Sequence, residues 1–403
     1  MKTWDAIIVG AGPAGSATAR HLARAGLGGG ALLLDRSAFP RDKACSEYLS
    51  PEATRLLARL GPAVLRSVEA AAPARLVGMK VFAPNGTMMC GRFDAQHRYP
   101  PPRPYSFALP RMTFDAILVE SAVQAGVELR ENVAVDELTF DGSGMVNGVI
   151  TRDAKGGKRE ALRADLVIGA DGLNSTVARK LGLARRGMPH RVAFTAHIRD
   201  VVGVEDFGEL HVGRTGYVGM GPIGDGVTTV ALVLPLHAAR RAAARDPHGF
   251  VAELDRFPSL SGRFDPARFA REVLVTGPFA RWSRSSVAPR GGALLVGDAA
   301  DFFDPFTGQG IYSALRGAEL VAETVVSGQG LARYRSLRRR TFSGKWILER
   351  LIGLGVGSPA ITNRVVSRLA RSPDRSDLLV GATGNFVPAR VTFTPRFLAG
   401  LIA

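Results

Sequence analysis

Four short apolar runs punctuate the chain, and each ends on glycine or aspartate. Ala6–Val9 meets Gly10, and Ala31–Leu34 meets Asp35. Leu166–Ile168 leads through Gly169 and Ala170 to Asp171, and Ala293–Val296 meets Gly297 and Asp298. Runs this short and this continuously apolar predict strands buried on both faces, as in a parallel sheet covered by helices. A second type of stretch alternates apolar and polar positions: "GMKVFAP" from Gly78, "VAFTAHI" from Val192, and "GVTTVALVLP" from Gly226 to Pro235. Bounded by glycine and proline, these predict a separate sheet, mixed or antiparallel, inserted between the buried runs. Beyond Ala332 the pattern is helical, with a break at Gly357–Ala360 and a proline-punctuated tail, Phe386–Gly400, placed to cover a pocket or serve as an interface. The class predicted is α/β.

The turn after the first run carries the first chemistry. Gly10, Gly12 and Gly15, with Pro13 and Ala14 between them, have the G-x-G-x-x-G spacing, and a helical pattern follows. The first glycine allows a tight turn, the second lets a pyrophosphate approach the backbone, and the third lets helix and strand pack closely. Asp35, with Arg36 beside it, ends the second run 20 residues after Gly15, where a carboxylate accepts hydrogen bonds from a ribose. A similar strand-turn-helix recurs almost 300 residues on, at "GDAADFFDPFTGQG" (Gly297–Gly310). A dinucleotide ending in nicotinamide needs no such distant segment. FAD does, because its ribityl chain and flavin ring extend past the pyrophosphate. Asp298 is then expected at the ribityl hydroxyls. Pro305, Gly308, Gly310 and Ile311, at the head of the next helix, are expected at the pyrimidine edge, where a helix N-terminus stabilises the charge of the reduced ring. Two further segments point the same way. Asp171–Gly172 forms a sharp turn before Asn174 and Ser175, good helix-capping types, and Arg111 precedes an amphipathic helix from which it could reach a phosphate or a ring face.

Together these segments resemble the flavoprotein hydroxylase group typified by para-hydroxybenzoate hydroxylase. Within it, "FPRDKACSEYLSPEA" (Phe39–Ala53) resembles the geranylgeranyl-reductase branch, with Ser46 standing where that branch has glycine. The resemblance implies a Rossmann-like FAD-binding domain, an inserted mainly β substrate domain and a helical C-terminal region. The FAD-binding parts are expected at 1–75, 106–182 and 286–330, the substrate parts at 76–105 and 183–285, and the helical region at 331–403. It also implies that Cys45 and Ser46 lie along the flavin, with Tyr48 at the substrate. One departure matters. Where prenyl reductases of this type carry Tyr-x-Trp-x-Phe-Pro, this chain reads Tyr217, Gly219, Met220, Gly221 and Pro222, so the two tunnel-lining aromatics are glycines. Room for a broad planar substrate is therefore expected. The first expectation is an NAD(P)H-dependent monooxygenase that hydroxylates an aromatic or polyketide-like molecule through a flavin C4a-hydroperoxide. The alternatives are an ene-reductase or dehydrogenase acting on a prenyl or acyl chain, and a flavin-binding protein without turnover. Halogenation is disfavoured: Trp4, Trp282 and Trp346 are scattered rather than paired, and Lys80 reads as a solvated strand lysine.

Charge adds a question. The chain of 403 residues carries a formal net charge of +16, and residues 331–375 hold 11 Lys and Arg against only Glu349 and Asp374. Trp346, Ile347, Leu348, Leu351 and Ile352 lie among them. This is the composition of a solvated arginine-rich helix face, or of a docking surface for an acidic carrier protein or an anionic membrane. No nucleic-acid motif accompanies it. The substrate is expected to be a small or carrier-bound molecule. Two cysteines, Cys45 and Cys90, and seven histidines without ligand spacing predict neither a disulfide framework nor a metal site. Without an apolar secretion core at the opening residues, a cytoplasmic setting is expected, with the membrane periphery as the alternative.

Overall fold

A computed structural model describes residues 2–153, 156–188 and 190–402. The four apolar runs become neighbouring strands of one sheet. Its parallel part has the order Glu128–Arg130, Ala31–Leu34, Thr3–Val9, Arg159–Gly169, Ala293–Leu295. Register is set by pairs such as Val9 with both Leu34 and Gly169, and Ile168 with Leu294. Ile7, Ile8, Leu32, Leu33 and Leu294 are fully buried, as expected for strands covered on both faces. The long strand Arg159–Gly169 belongs to two sheets in effect. Its second half pairs with Thr3–Val9, while its first half runs antiparallel to Val146–Asp153, which in turn pairs with Val133–Phe140.

Helices Pro13–Leu22 and Gly310–Ser327 pack side by side on one face of this sheet, although they lie almost 300 residues apart. Small side chains make this possible. Ala14 and Ala314 meet in one apolar cluster with Leu320 and Val321. At Gly297 a Cβ would stand 2.8 Å from the Cβ of Ala14, so any side chain there would push the first helix away. Both helices therefore begin at the same edge of the sheet.

The second sheet draws Gly78–Phe82 and Met88–Arg92 from early in the chain, and Arg191–Arg199, Phe207–Val212, Tyr217–Gly224, Val227–Pro235 and Leu274–Thr276 from its middle. All pairings are antiparallel except Phe207–Val212 with Gly78–Phe82. Helices Leu331–Val356, Pro359–Ala370, Pro373–Thr383 and Pro395–Ile402 close the remaining side, with the second and third packed on strand Met88–Arg92. The helical break falls at Gly357–Ser358, where Thr362 Oγ1 donates to the Gly355 carbonyl at 2.9 Å and turns the corner.

Helix Pro13–Leu22 also holds a titratable group. Desolvation, then the nearby Arg24 and Arg20, push the His21 imidazole down to about 4. An unfolded chain has its histidines near about 6.5. Between those values the unfolded state takes up a proton that the folded helix refuses, so stability falls as the pH is lowered through that window. The melting temperature of H21Q should accordingly fall less steeply than that of the wild type between about pH 6.5 and 4. Parallel melting curves for the two proteins would refute this account.

Candidate functional site

The two helix starts that share a sheet edge open into a single cavity of about 440 Å³. Its wall includes Gly12, Pro13 and Ala14 from the first helix and Gly310, Ile311 and Ala314 from the second. Neither helix has a side-chain N-cap: Gly12 has none to offer, and Gln309 makes no capping bond. The first-turn N–H groups of both thus have no side-chain acceptor at the cavity, which is the requirement for holding an anion. The glycines around the first turn divide by role. A Cβ on Gly10, whose φ is 101°, would sit 2.6 Å from the Ala170 carbonyl oxygen, and one on Gly15 would sit 1.8 Å from that of Gly10. Those two are required by packing. A Cβ on Gly12 would meet only Arg41 Nη2, at 3.6 Å, and one on Gly310 would meet nothing within 4 Å. The space beside Gly12 and Gly310 lies within the cavity, so it is room for a ligand. Two anion-accepting helix ends on one elongated cavity fit the pyrophosphate and the electron-rich ring edge of FAD.

The structure distributes the remaining predicted residues among three tasks. On the cavity wall lie Cys45, Ser46, Asp298, Pro305 and Gly308. Asp298 faces Lys43 Nζ at 3.9 Å. Gly308 has φ 64°, and a Cβ there would approach Tyr48 Cδ1 to 2.9 Å, so Tyr48 braces the turn before the second helix. Gly219, Met220 and Gly221 also reach the wall, and the glycines leave it open: their nearest neighbours to an added Cβ stand at 3.4 Å (Leu210) and 3.6 Å (Leu76). A second group shapes the site without facing it. The Asp35 carboxylate accepts from the Ala11 N–H at 2.8 Å and the Ser37 N–H at 3.0 Å and pairs with Arg41, while Arg36 points to solvent. Asp171 departs from its expected place at the cofactor. Its carboxylate accepts from Ser175 Oγ and from the N–H groups of Thr176 and Val177, capping the helix Thr176–Lys180, and the neighbouring Gly172 backbone takes the cavity wall. Arg111 forms the third case. It lines the cavity, yet two of its nitrogens bond Asp115 at 2.7 Å each. Burial opposes its charge, and Asp115 with Cys45 more than offsets this, holding the guanidinium charged.

Tyr217 combines two roles. Its ring is on the wall, but its hydroxyl donates to Asp304 Oδ1 at 2.5 Å and is not presented to a substrate. Burial, then the Asp304 charge, raise its pKa well above the ordinary range. Asp304 also accepts from Arg191 Nη1 at 2.7 Å and from the Phe306 N–H at 3.0 Å, and Arg191 Nη2 donates to the Gly353 carbonyl at 3.3 Å. This network is absent from the sequence reading, as the bonds made by Tyr217 and Arg191 span 87 to 162 residues. A second unread cluster joins Thr307 Oγ1 to Glu349 Oε1 at 3.2 Å and Glu349 to Lys345 Nζ at 2.7 Å, both acid and base on the cavity wall. Gln309 Nε2 donates to the carbonyls of Ala382 and Thr383. Of the basic residues between 331 and 375, Lys345 and Arg338 are therefore turned inward, Arg338 onto Asp301. Lys80 is paired with Glu205 at 2.8 Å, away from the cavity wall. Among the described residues no cluster of His, Cys, Asp and Glu could hold a metal ion.

The family model described as FAD binding domain matches residues 3–329. Menaquinone reductase of Mycolicibacterium smegmatis is 32% identical over 357 residues, covering 82% of this chain and 78% of the relative. Digeranylgeranylglycerophospholipid reductase 1 of Methanococcoides burtonii is 30% identical over 359 residues, covering 85% and 81%. In fold, the chain is similar to a flavoprotein/dehydrogenase from Cytophaga hutchinsonii, with a TM-score of 0.83, 19% identity and coverage of 98% and 96%. It is also similar to a flavin-dependent brominase, with a TM-score of 0.80, 21% identity and coverage of 96% and 94%.

Two substitutions test the site. Gly12→Val should cost the apoprotein only about 1 kcal/mol, the difference between a tolerated and a poor N-cap, yet abolish FAD retention by filling the cradle. Wild-type flavin content per purified chain would refute that. Asp304→Ala leaves Arg191 buried without its partner and should lower stability by about 3–5 kcal/mol, measured by denaturant unfolding; a change below about 1 kcal/mol would deny the network its structural role. The sequence family, the shared edge of two uncapped helices and the open glycine cradle converge: this chain belongs to the FAD-binding domain family and is an FAD-dependent oxidoreductase.

Proposed function

We propose that the protein reduces carbon–carbon double bonds in the prenyl chain of a lipid-like substrate, with NAD(P)H as the electron donor to bound FAD. The observation that carries this reading is the apolar part of the cavity wall. The C-terminal helices contribute Leu348, Ile352, Val365, Leu369, Leu379 and Phe397 to it. The acid and base there, Glu349 and Lys345, neutralise each other. Such a wall grips hydrocarbon: burying each five-carbon unit of a chain is worth about 4 kcal/mol at ~0.8 kcal/mol per carbon. Affinity then comes from the chain, and the cavity excludes water from the flavin. Reduced flavin would supply a hydride to one alkene carbon when bound, the other carbon taking up a proton, and NAD(P)H would reduce the oxidised flavin again; the protein's part is to seat the cofactor and lay an alkene along it. Two relatives support the reading. By name they reduce menaquinone and digeranylgeranylglycerophospholipid, molecules that carry long isoprenoid chains.

Hydroxylation of a planar substrate, the first expectation from the sequence, keeps one observation in its favour. Gly219 and Gly221 do leave open wall where bulky aromatics were expected in a prenyl reductase. In the reductase reading the same space receives the ring or headgroup attached to the chain.

Anaerobic reoxidation separates the two. Protein reduced under nitrogen should regain its yellow colour on mixing with a prenyl lipid that carries no quinone, leaving a product in which a double bond of the chain is saturated. Ile352→Trp, which adds bulk to the apolar wall, should raise KM for long-chain substrates about tenfold or more while sparing short ones. A reduced protein that ignores every alkene under nitrogen, yet consumes oxygen and yields a hydroxylated product, would overturn the reductase reading.

A further inference from the structure

The cavity has a mouth, and its surroundings are not those of a water-facing enzyme. Three residues on the cavity wall are also substantially exposed: Leu351 (51%), Ile361 (52%) and Leu398 (38%). They come from three different C-terminal helices and mark the rim. Helix Leu331–Val356 extends the rim outward. Ile347, Leu351 and Leu354 follow at positions i, i+4 and i+7 on one stripe, with Ile347 at 52% and Leu354 at 71% exposure. Ile361 continues the patch across the corner, its Cγ2 lying 3.9 Å from where a Cβ on Gly355 would stand. Helix Pro395–Ile402, which carries Leu398, packs on helix Pro359–Ala370.

Exposed leucine and isoleucine grouped on this scale mark an interaction site rather than ordinary surface. The charge around the patch names the partner. Arg350 stands beside Leu351, Arg340 lies two turns before Ile347 on the same face, Arg364 follows Ile361 by one turn, and Arg396 precedes Leu398. The only acid between residues 331 and 373 is Glu349, which is buried and paired with Lys345. An apolar stripe bordered by arginine, in a segment whose one acid is buried and paired, is complementary to a bilayer surface with anionic headgroups. No helix among the described residues is long and apolar enough to cross a membrane.

We infer that the C-terminal helices dock the protein on anionic phospholipid bilayers, with Ile347, Leu351, Leu354, Ile361 and Leu398 entering the headgroup region so that the cavity opens into the membrane. A chain-bearing lipid then passes from bilayer to flavin without crossing water. The docking surface rests on exposure and charge alone and stands independently of the reaction proposed above.

Flotation of the FAD-loaded protein with vesicles tests it without any turnover. Vesicles of phosphatidylcholine containing phosphatidylglycerol should carry the protein upward, vesicles of phosphatidylcholine alone should carry at least tenfold less, and high salt should reduce binding. Leu354→Glu and Ile347→Glu, both at exposed positions off the cavity wall, should each lower anionic-vesicle binding tenfold or more, with flavin content and melting temperature unchanged. Absence of flotation with anionic vesicles, or flotation that both variants retain, would overturn the inference. So would capture of an acidic carrier protein by this face in the absence of vesicle binding. A protein that floats but leaves prenyl chains unreduced keeps its docking surface and loses only the proposed reaction.

Discussion

The Asp304 carboxylate is a negative charge that the fold keeps almost out of reach of water, 6% exposed. Such a charge is tolerated only when it is paired and hydrogen-bonded. Its three partners come from two places: Arg191 and Tyr217 from the second sheet, and the Phe306 N–H from the turn that opens helix Gly310–Ser327. Arg191 in turn reaches the Gly353 carbonyl on the long C-terminal helix. No one of these segments can settle in place without the others, because each leaves a buried polar group unmet. The flavin seat, the substrate sheet and the helical cover are joined through one ion.

The consequence is a cavity with two characters. At one end, backbone donors of two helices and the side chains of Lys43 and Asp298 suit a charged, hydroxylated cofactor. At the other, aliphatic and aromatic side chains suit hydrocarbon. Thr307, Glu349 and Lys345 also lie on the wall, where their polar atoms satisfy each other.

Much of the nucleotide-binding half was legible because its signals are local. Strand, glycine turn, helix and acid within about 30 residues define a geometry by themselves, and Asp298 with the helix after Gln309 repeats the logic. Residues whose role depends on distant partners were read less well. Asp171 looked like a cofactor ligand, and only the folded turn shows that its carboxylate is consumed in capping the next helix. The Arg111–Asp115 pair was within reach of sequence reasoning, since i and i+4 on a helix face each other. The pairing of Arg191 and Tyr217 with Asp304 carries no local signal. The C-terminal helices were the hardest, for a physical reason. Helix Leu331–Val356 buries Arg338, Lys345 and Glu349 while exposing Ile347, Leu351 and Leu354, so its pattern of polar and apolar positions does not point inward in the usual way.

The matched family segment stops at residue 329, whereas the C-terminal share of the cavity wall is built by residues 345–401. One part of the cavity wall is thus written in a length of chain that follows the matched segment, while the second sheet, at Gly219, Met220 and Gly221, supplies another part from within it. The later length is moored to the earlier one at only a few points, Glu349, Gly353 and Ala382–Thr383, so most of its wall-forming side chains could be exchanged without touching those ties.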